Sequence, residues 1–500
     1  MGKSNTKKGK YNTKKGKSNT NKFNTQLCDN NMTFEDCELT ILRHAVDETE
    51  ELQGQKKVNS KEIQEMLEIV ENFIIKKNLI CYGGTAINNI LPKYAQFYKR
   101  DIEIPDYDFF SSNALEDAKE LADIYHKAGY SEVEAKSGIH YGTFKVFVNY
   151  IPIADITHLH KDIYKSITND AIQIAGIKYA PPDYLRMSMY LELSRPAGDV
   201  SRWEKVMKRL AIMNKFHPMK LNKDCHTIDF SKQIDISMPE QEKLHLTLRD
   251  IFIDNGSVFF GGYSTHLYSK HMSESKKVLV NKIPDFDIIS EDIDKCALIV
   301  KEQLQREKYK QIKIIKHDAI GEIIPKHIEI TVGKYSMAFI YEPIACHSYN
   351  EITVDTKTVK VATIDTILAF YLSFLYAKMP HYDKDRLLCI AMFLFQTEQQ
   401  NRLAQKGILK RFSINCYGKQ STLEDIRSIK SDKFKEFKES GISKTSKEYQ
   451  MWFFKYNPTE KLEKPVIEKK KKNKTRKNKQ KSPTEHPILA LIKKRAVLSA

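Results

Sequence analysis

The chain has 500 residues, 41% of them hydrophobic, and a formal net charge of +17. A chain of this length predicts about two to four domains, and no run approaches the roughly 20 apolar residues of a membrane helix. The eight cysteines show no C-x-x-C spacing, which argues against a structural zinc site and a secreted disulfide scaffold. We therefore expect a protein of a reducing, intracellular compartment.

The positive charge is concentrated near the two ends of the chain. Residues 1–25 hold eight lysines and no acid, and residues 469–481 hold nine basic residues and no acid. The body between them is therefore formally neutral. Like-charge blocks of this kind are typical of disordered interaction tails, and a polyanion is their natural partner. We predict nucleic acid as that partner, with a solubility tail or a nuclear-import signal as the alternative.

The first half of the chain predicts a strand-turn-helix unit followed by further strands. Apolar residues at helical spacing predict a helix over 61–77. The short apolar run NLICY before two glycines predicts a buried strand and a tight turn, and the stretch after it predicts a helix. DYDFF is strand-like, ALEDAKELADIYHKAGY is helical, and GTFKVFVNYIPIADITHL alternates like a strand or hairpin arm. Helices are predicted after Pro181-Pro182 and over 199–216.

The same order of patterns returns in the second half. VFFGG precedes IPDFDII, a helix-like stretch, two strand-like runs and the apolar segment 360–378. Gly83 and Asp106 are 23 positions apart, and Gly261 and Asp285 are 24 apart. The sequence therefore predicts an internal duplication of a whole domain rather than a short repeat. A mostly helical region is expected over 379–460.

Two carboxylates share one strand face in the first copy. Side chains at i and i+2 of a strand point the same way, so Asp106 and Asp108 project together, about 7 Å apart at Cα. Like charges repel unless a cation lies between them, and magnesium prefers such oxygen ligands together with substrate phosphates. Asp155 is a third candidate on another strand, and three carboxylates can hold two metal ions for phosphoryl transfer.

Gly83 and Gly84 supply a turn without β-carbons, so that backbone N–H groups can approach phosphate oxygens. The following helix begins near Thr85, and a helix N-terminus favours anions. The sequence thus predicts a triphosphate cradle facing a metal site. The alternative is an ordinary glycine turn and an aspartate that starts a turn. Lys145 is predicted either to face the cleft or to lie on a solvated strand face.

At these residues the chain resembles the DNA polymerase β-like nucleotidyltransferase superfamily. The shared pattern is an apolar residue before Gly83-Gly84, a spacer of 21 residues, the D-x-D pair and the later Asp155. Within that superfamily the chain is most similar, over roughly residues 60–380, to the poly(A) polymerase catalytic subunits of large cytoplasmic DNA viruses, the mimivirus and poxvirus group.

The resemblance implies template-independent addition of AMP from ATP to an RNA 3′ end, with two Mg²⁺ or Mn²⁺ ions. Asp106 and Asp108 would bind both metals, Asp155 would bind the metal at the 3′-hydroxyl and help activate it, and Gly83, Gly84 and Thr85 would hold the triphosphate. RNA and ATP are the expected partners, no membrane is expected, and a homodimer or a processivity subunit is left open. The expected location is the cytoplasmic viral factory, with packaging in the virion also left open.

The predicted fold class is α/β (α+β), with tandem nucleotidyltransferase-like domains, additional helical segments and disordered basic tails. The expected divisions are a basic tail (1–26), a catalytic domain with an N-terminal helical segment (27–198), a helical connector (199–240), a second nucleotidyltransferase-like domain (241–378), a C-terminal helical region (379–465) and a basic low-complexity tail (466–500).

The second copy is predicted to be degenerate. Aligning NYIPIADITHL with IYEPIACHSYN places Cys346 where the first copy has Asp155, and a neutral thiol is a poor magnesium ligand. Tyr263 replaces Thr85, while Asp285 and Asp287 remain. Two other hypotheses stay open: a different polymerase β-like transferase (uridylyl-, CCA-adding or oligoadenylate synthetase-like), and an RNA-binding scaffold with both sites dead.

Overall fold

A computed structural model describes residues 27–29, 31–99, 102–221, 223–228, 230, 237–280 and 285–458. The two basic tails predicted from the sequence lie outside these residues.

The helices, numbered in chain order, are α1 (Phe34–Val58), α2 (Lys61–Lys77), α3 (Gly83–Ile90), α4 (Ala114–Lys127), α5 (Lys161–Asn169), α6 (Pro182–Leu193), α7 (Trp203–Phe216), α8 (Met238–Asp254), α9 (Gly262–Ser269), α10 (Glu274–Val280), α11 (Ile293–Arg306), α12 (Ile364–Phe374), α13 (Lys384–Gln400), α14 (Leu423–Glu439) and α15 (Lys447–Phe453). The strands are β1 (Ile80–Cys81), β2 (Tyr107–Ser111), β3 (Val133–Ser137), β4 (Thr143–Val148), β5 (Ile151–His158), β6 (Ile172–Ile174), β7 (Ile177–Tyr179), β8 (Val258–Phe259), β9 (Phe286–Ile289), β10 (Ile312–His317), β11 (His327–Val332), β12 (Tyr335–Tyr341), β13 (His347–Val354), β14 (Lys357–Ala362), β15 (Cys416–Tyr417) and β16 (Lys455–Tyr456).

The strands form two mixed sheets with the same internal order. The first runs β16-β3-β4-β5-β2-β1-β7-β6, and the second runs β10-β11-β12-β9-β8-β14-β13-β15. Without β16 and β15, seven strands of one sheet match seven of the other, position by position. The predicted fold class and the predicted duplication are therefore confirmed.

The β4–β5 hairpin follows directly from its sequence. Along β4 the side chains alternate between half-buried and buried, which is the period of a strand with one face on the core. Asn149 and Tyr150 connect β4 to β5 with φ values of 48° and 65°, and two consecutive positive φ values give a tight hairpin turn whose twist matches the strands. This hairpin fixes which residue of β4 faces which residue of β5.

Two short strands from the C-terminal region complete the two sheets. β15 pairs with β13 at the edge of the second sheet, and β16 pairs with β3 at the edge of the first. The sequence predicted a mostly helical region here. A two-residue strand carries too few positions to show a period, so these edge strands could not be predicted.

Helix α6 of the first copy packs on α12, its counterpart in the second. Beside this contact a fully buried Arg186 fixes α7. Its guanidinium pairs with Asp183, donates to Asn214 Oδ1 at 2.8 Å and donates to the carbonyl oxygen of His217. Since Asn214 lies on α7 and His217 follows that helix, one buried cation locks the connector helix against the first copy.

Six of the eight cysteines are joined in disulfides, although a reducing compartment was expected from the sequence. The structure pairs them in three disulfides, with Cα–Cα separations of 5.3, 5.8 and 5.2 Å: Cys28–Cys37, Cys225–Cys389 and Cys346–Cys416. Two of the pairs are 164 and 70 residues apart in the chain. Such pairs are set by the folding of the whole chain and cannot be read from local spacing.

Candidate active site

The glycine turn lies against the second aspartate of the D-x-D pair. The backbone N–H of Tyr82 donates to the carbonyl oxygen of Asp108 at 2.9 Å, which brings the end of β1 onto β2. Gly83 has a φ of +70°, and a β-carbon there would lie 2.7 Å from Asp108 Oδ2. Both the backbone conformation and the close approach require a glycine at position 83.

Helix α3 begins at this turn without a side-chain cap, so the first N–H groups of the helix keep their donor capacity for another acceptor. Thr85 is buried, and its hydroxyl donates to the carbonyl oxygen of Asp106 at 2.7 Å. The hydroxyl of Thr85 thus holds the D-x-D segment in place, and its contribution toward an anion would come from the backbone.

The carboxylates of Asp106, Asp108 and Asp155 meet on neighbouring strands. β2 and β5 are parallel, and Asp108 is the register partner of Asp155. Burial raises the pKa of Asp108 to about 7, with further contributions from Asp106 and Asp155. Burial and the charge of Asp155 also raise the pKa of Asp106. Closely placed carboxylates with raised pKa values are typical of a site that binds a cation.

Lys145 faces these carboxylates from β4. It is the register partner of Asp155, and its ammonium group pairs with Asp155 Oδ2. The sequence left open whether Lys145 faces the cleft or lies on a solvated strand face. The structure shows its side chain directed at the carboxylates. Within the described ranges, no three His, Cys, Asp or Glu side chains are grouped so that they could hold a metal ion on their own. Asp106 and Asp108 nevertheless have the oxygen chemistry that magnesium prefers, and substrate phosphates commonly complete such a site.

Two side chains that the sequence did not single out lie on the glycine turn. Arg209 of α7 donates to the hydroxyl of Tyr98 at 2.6 Å. A β-carbon on Gly84 would meet that hydroxyl, and it would lie 3.1 Å from the guanidinium nitrogens of Arg209. Arg202, at the start of α7, opposes the rise in the pKa of Asp108. Tyr98 and Arg209 are 111 residues apart in the chain, so only the fold brings them together.

A cavity of about 310 Å³ opens beside Asp106. Its walls come from α3 and from the 21-residue spacer. Asn88 holds that spacer, because its Oδ1 accepts hydrogen bonds from the backbone N–H groups of Phe97 and Tyr98, each at 2.8 Å. The cavity falls within the size range of sites for small ligands.

In the second copy, a different residue occupies the position that corresponds to Asp155, the third carboxylate of the first copy. β9 and β12 are parallel, and Asp287 is the register partner of Phe339, as Asp108 is of Asp155 in the first copy. The alignment of Asp155 with Cys346 is therefore wrong, because Cys346 follows β12 instead of lying within it. The absence of a third carboxylate was predicted correctly, but the replacement is an aromatic ring.

The space around Asp285 and Asp287 is also largely filled. The cavity there measures about 70 Å³, and Arg386 of α13 lies 3.8 Å from Asp285 Oδ2. Phe374 and Tyr382 stack at 4.2 Å in the same wall. Aromatic side chains and one arginine thus leave little space beside Asp285 and Asp287.

The same sheet order occurs twice in the chain, and in the first copy the glycine turn lies beside carboxylates on neighbouring strands. Residues 68–199 match the family model described as the poly(A) polymerase catalytic subunit. The resemblance predicted from the sequence is thus confirmed over this segment.

Relatives and a solved structure agree with this assignment. A provisionally named poly(A) polymerase catalytic subunit of African swine fever virus (strain Badajoz 1971 Vero-adapted) is 35% identical over 170 residues, which are 33% of this chain and 35% of that protein. A similarly named protein of Acanthamoeba polyphaga mimivirus is 28% identical over 225 residues, 42% of this chain and 36% of that one. The crystal structure of the Megavirus polyadenylate synthase has a TM-score of 0.69 at 20% identity, covering 89% of this chain and 90% of that one.

These similarities differ in what they cover. The chain spans about a third of the length of the viral relatives that it matches. The segment that matches the family model contains the glycine turn and all three candidate carboxylates. The Megavirus structure extends the likeness in fold to most of the chain. Among the described residues, no helix combines the length and the apolar composition needed to cross a bilayer.

Proposed function

We propose that the protein is a polynucleotide adenylyltransferase that adds AMP from ATP to RNA 3′ ends without a template. The observation that carries the proposal is the register of Asp108 against Asp155 beside the strained turn at Gly83. This arrangement occurs within the segment that matches the poly(A) polymerase catalytic subunit model.

In this proposal Asp106 and Asp108 are the metal ligands, and Asp155 is the third carboxylate, next to the attacking 3′-hydroxyl. Two bound Mg²⁺ or Mn²⁺ ions would stabilise the charge of the transferring phosphoryl group and lower the pKa of that hydroxyl. Lys145 pairs with Asp155 and so places a cation beside this partly buried carboxylate. Burial and the neighbouring acids raise the pKa of Asp108, and a bound cation would stabilise the charged form of this carboxylate.

The triphosphate would lie on the turn of Gly83 and Gly84, against the uncapped N–H groups of α3. Arg209 adds a guanidinium at the same turn, and guanidinium groups pair well with phosphate oxygens. Arg186 keeps α7 in place and thereby positions Arg209. RNA and ATP are the substrates under this proposal.

The finer points of partner, location and domain division belong to the same proposal. A catalytic domain over 27–198 is followed by a connector (199–240), a degenerate copy (241–378) and a C-terminal region (379–465). A homodimer or a processivity subunit is the further partner, and the cytoplasmic viral factory or the virion is the location. The similarity to viral proteins supports the location.

The proposal is tested by supplying each of the four nucleoside triphosphates in turn, with Mg²⁺ or Mn²⁺ and a labelled RNA primer. We expect long extension with ATP and little with the others. Extension mainly with UTP would identify a uridylyltransferase, and products without a primer would identify an oligoadenylate synthetase-like enzyme. No incorporation of any nucleotide would support the RNA-binding scaffold.

Replacing both Asp285 and Asp287 with asparagine is expected to leave the incorporation rate within about two-fold of the wild type, since Phe339 stands in the third place and the cavity is small. Circular dichroism and thermal melting serve as fold controls for this double variant. A stable variant that has lost incorporation would show that the second copy takes part in the chemistry.

A further inference from the structure

A groove of about 610 Å³ lies between α7 and α13, beside the segment that follows α13. Helix α7 separates this groove from the glycine turn, because Arg209 on one side of the helix contacts Tyr98 while Met207 and Lys215 on the other side line the groove. A helix with its side chains is about 10 Å across. The groove is therefore one helix away from the proposed triphosphate site.

Three cations, Lys215, Arg402 and Arg411, and one carboxylate, Glu398, line the groove, and Glu398 already pairs with Arg411. Residues 205–223 hold six lysines and arginines and no carboxylate, and residues 399–423 hold five and no carboxylate. The body between the tails is neutral in total, but these two stretches are locally basic. A concave surface of one charge sign concentrates ions of the opposite sign, so a polyanion is the ligand that fits.

The cations on the two walls differ in whether they are already paired. The charge of Arg411 is compensated inside the protein, because Arg411 pairs with the buried Asp365 and with Glu398. Lys215 and Arg402 form no ion pair within the described part of the chain, and both are exposed. These two side chains, one on each wall, remain available for phosphate groups.

The groove also has an aromatic wall. Phe412 is 37% exposed. Its ring contacts Trp203, with ring centroids 5.6 Å apart, and the Arg411 guanidinium, 4.7 Å from the ring centroid. Stacking of bases on exposed aromatic rings, combined with cations that follow the backbone, is the usual way in which proteins bind single-stranded nucleic acids. An acidic protein segment would satisfy the cations but would make no use of this exposed ring.

We propose that the groove between α7 and α13 binds the single-stranded RNA upstream of its 3′ end, with phosphates at Lys215 and Arg402 and a base stacked on Phe412. The inference rests on the proposed function for the choice of RNA as the polyanion. The basic tails of this chain are not the occupant, since they carry the same charge as the groove.

The test measures the affinity of the full chain for a labelled oligoadenylate of about 20 nucleotides, without any nucleotide, across a salt series. Lys215→Glu combined with Arg402→Glu is expected to weaken binding by at least about ten-fold at low salt. Each phosphate contact on a single strand contributes about 0.7 to the slope of log affinity against log salt, so the slope should fall by about 1.4. Phe412→Ala should weaken binding by about ten-fold with little change in that slope.

The matched control is Lys76→Glu combined with Lys127→Glu, which changes the net charge equally at two exposed lysines on α2 and α4. We expect a much smaller loss of affinity. Equal losses in the two double variants would overturn the proposal, since net charge alone would then explain both. Unchanged RNA affinity in the groove variant would also overturn it and would point to an acidic protein segment as the ligand.

The glutamate double variant could fail to fold, so two further experiments keep the test decisive. One uses the milder double variant Lys215→Gln with Arg402→Gln, and the other is photocrosslinking of the wild-type protein to RNA that carries a photoreactive base. Crosslinks that avoid residues 203–216 and 395–412 would contradict the proposal. RNA binding is measured without turnover, so a failure of the groove proposal can be distinguished from a failure of the proposed chemistry. If the chemistry is present, the groove variants should raise the KM for the long primer and leave kcat, and the KM for a trinucleotide primer, nearly unchanged.

Discussion

Replacing Asp108 with asparagine is expected to lower nucleotide incorporation by about 10³-fold or more, because the carboxylate contributes both charge and a ligand oxygen to the proposed metal site. Asparagine has nearly the same shape, so the turn at Gly83 should survive. The measurement is primer extension with ATP under single-turnover conditions. Near-normal extension by a folded variant would remove the first copy from the chemistry.

The same substitution is expected to stabilise the fold at neutral pH. The pKa of Asp108 is raised to about 7, so the folded chain holds this proton more tightly than the unfolded chain does. Between about pH 4 and 7 the free energy of unfolding therefore falls as pH rises. At pH 8 the asparagine variant should gain about 4 kcal/mol over the wild type, and near pH 4 the gain should vanish.

A matched control is Asp162→Asn on α5, where the carboxylate is 62% exposed. This variant should change neither incorporation nor the pH dependence of melting. If Asp108→Asn loses activity without any gain in melting temperature at pH 8, the charge at position 108 is already compensated. The loss of incorporation would then have to be explained by a role of Asp108 in the fold as well as in the chemistry.

Replacing Arg411 with alanine is expected to cost about 3–5 kcal/mol of stability, the usual effect of removing one partner from a buried ion pair. Arg411 lies 2.6 Å from Asp365, which is 1% exposed, and also pairs with Glu398. Burial and the charge of Asp365 raise the pKa of Glu398 to about 8. Without the guanidinium, two neighbouring carboxyl groups would remain in the core of the second copy.

The pH dependence gives this prediction a distinctive form. An acid whose pKa is raised in the folded state destabilises that state as pH rises from its ordinary value toward the raised one. The loss caused by Arg411→Ala should therefore be larger at pH 8 than at pH 5, as measured by denaturant unfolding at the two pH values. The control is Arg427→Ala, whose partner Glu424 is 80% exposed, and which should cost less than about 0.5 kcal/mol.

The sequence predicted those features that depend on local pattern. The order of strands and helices and the duplication follow from periodicity and from the two G-G and D-x-D motifs. Asp108 and Asp155 also fall in register as neighbouring strands, although their roles remain proposals. β2 and β5 are parallel and are separated in the chain by α4, β3 and β4. The strand patterns of the two segments, and not a short turn between them, made this part of the site predictable.

Features set by long-range packing could not be predicted. Arg209 reaches Gly84 only because α7 is fixed by Arg186. The position that corresponds to Asp155 in the second copy was misassigned because it was chosen by aligning similar short segments of sequence. Strand register, and not that similarity, decides which side chain faces Asp287. Register depends on hairpin geometry and on a shift within β11–β12, and neither leaves a mark in a short motif.

The edge strand β16 has a consequence for how the chain is made. It closes the first sheet on β3, yet it is synthesised after every other described strand of both sheets. At about 5–20 residues per second, the ribosome needs about 15–60 s to travel from β3 to β16. During that time the first sheet emerges with an open edge, which is a template for wrong strand pairing. The nascent chain thus carries an open sheet edge through most of its own translation, and only the arrival of its C-terminal region covers it.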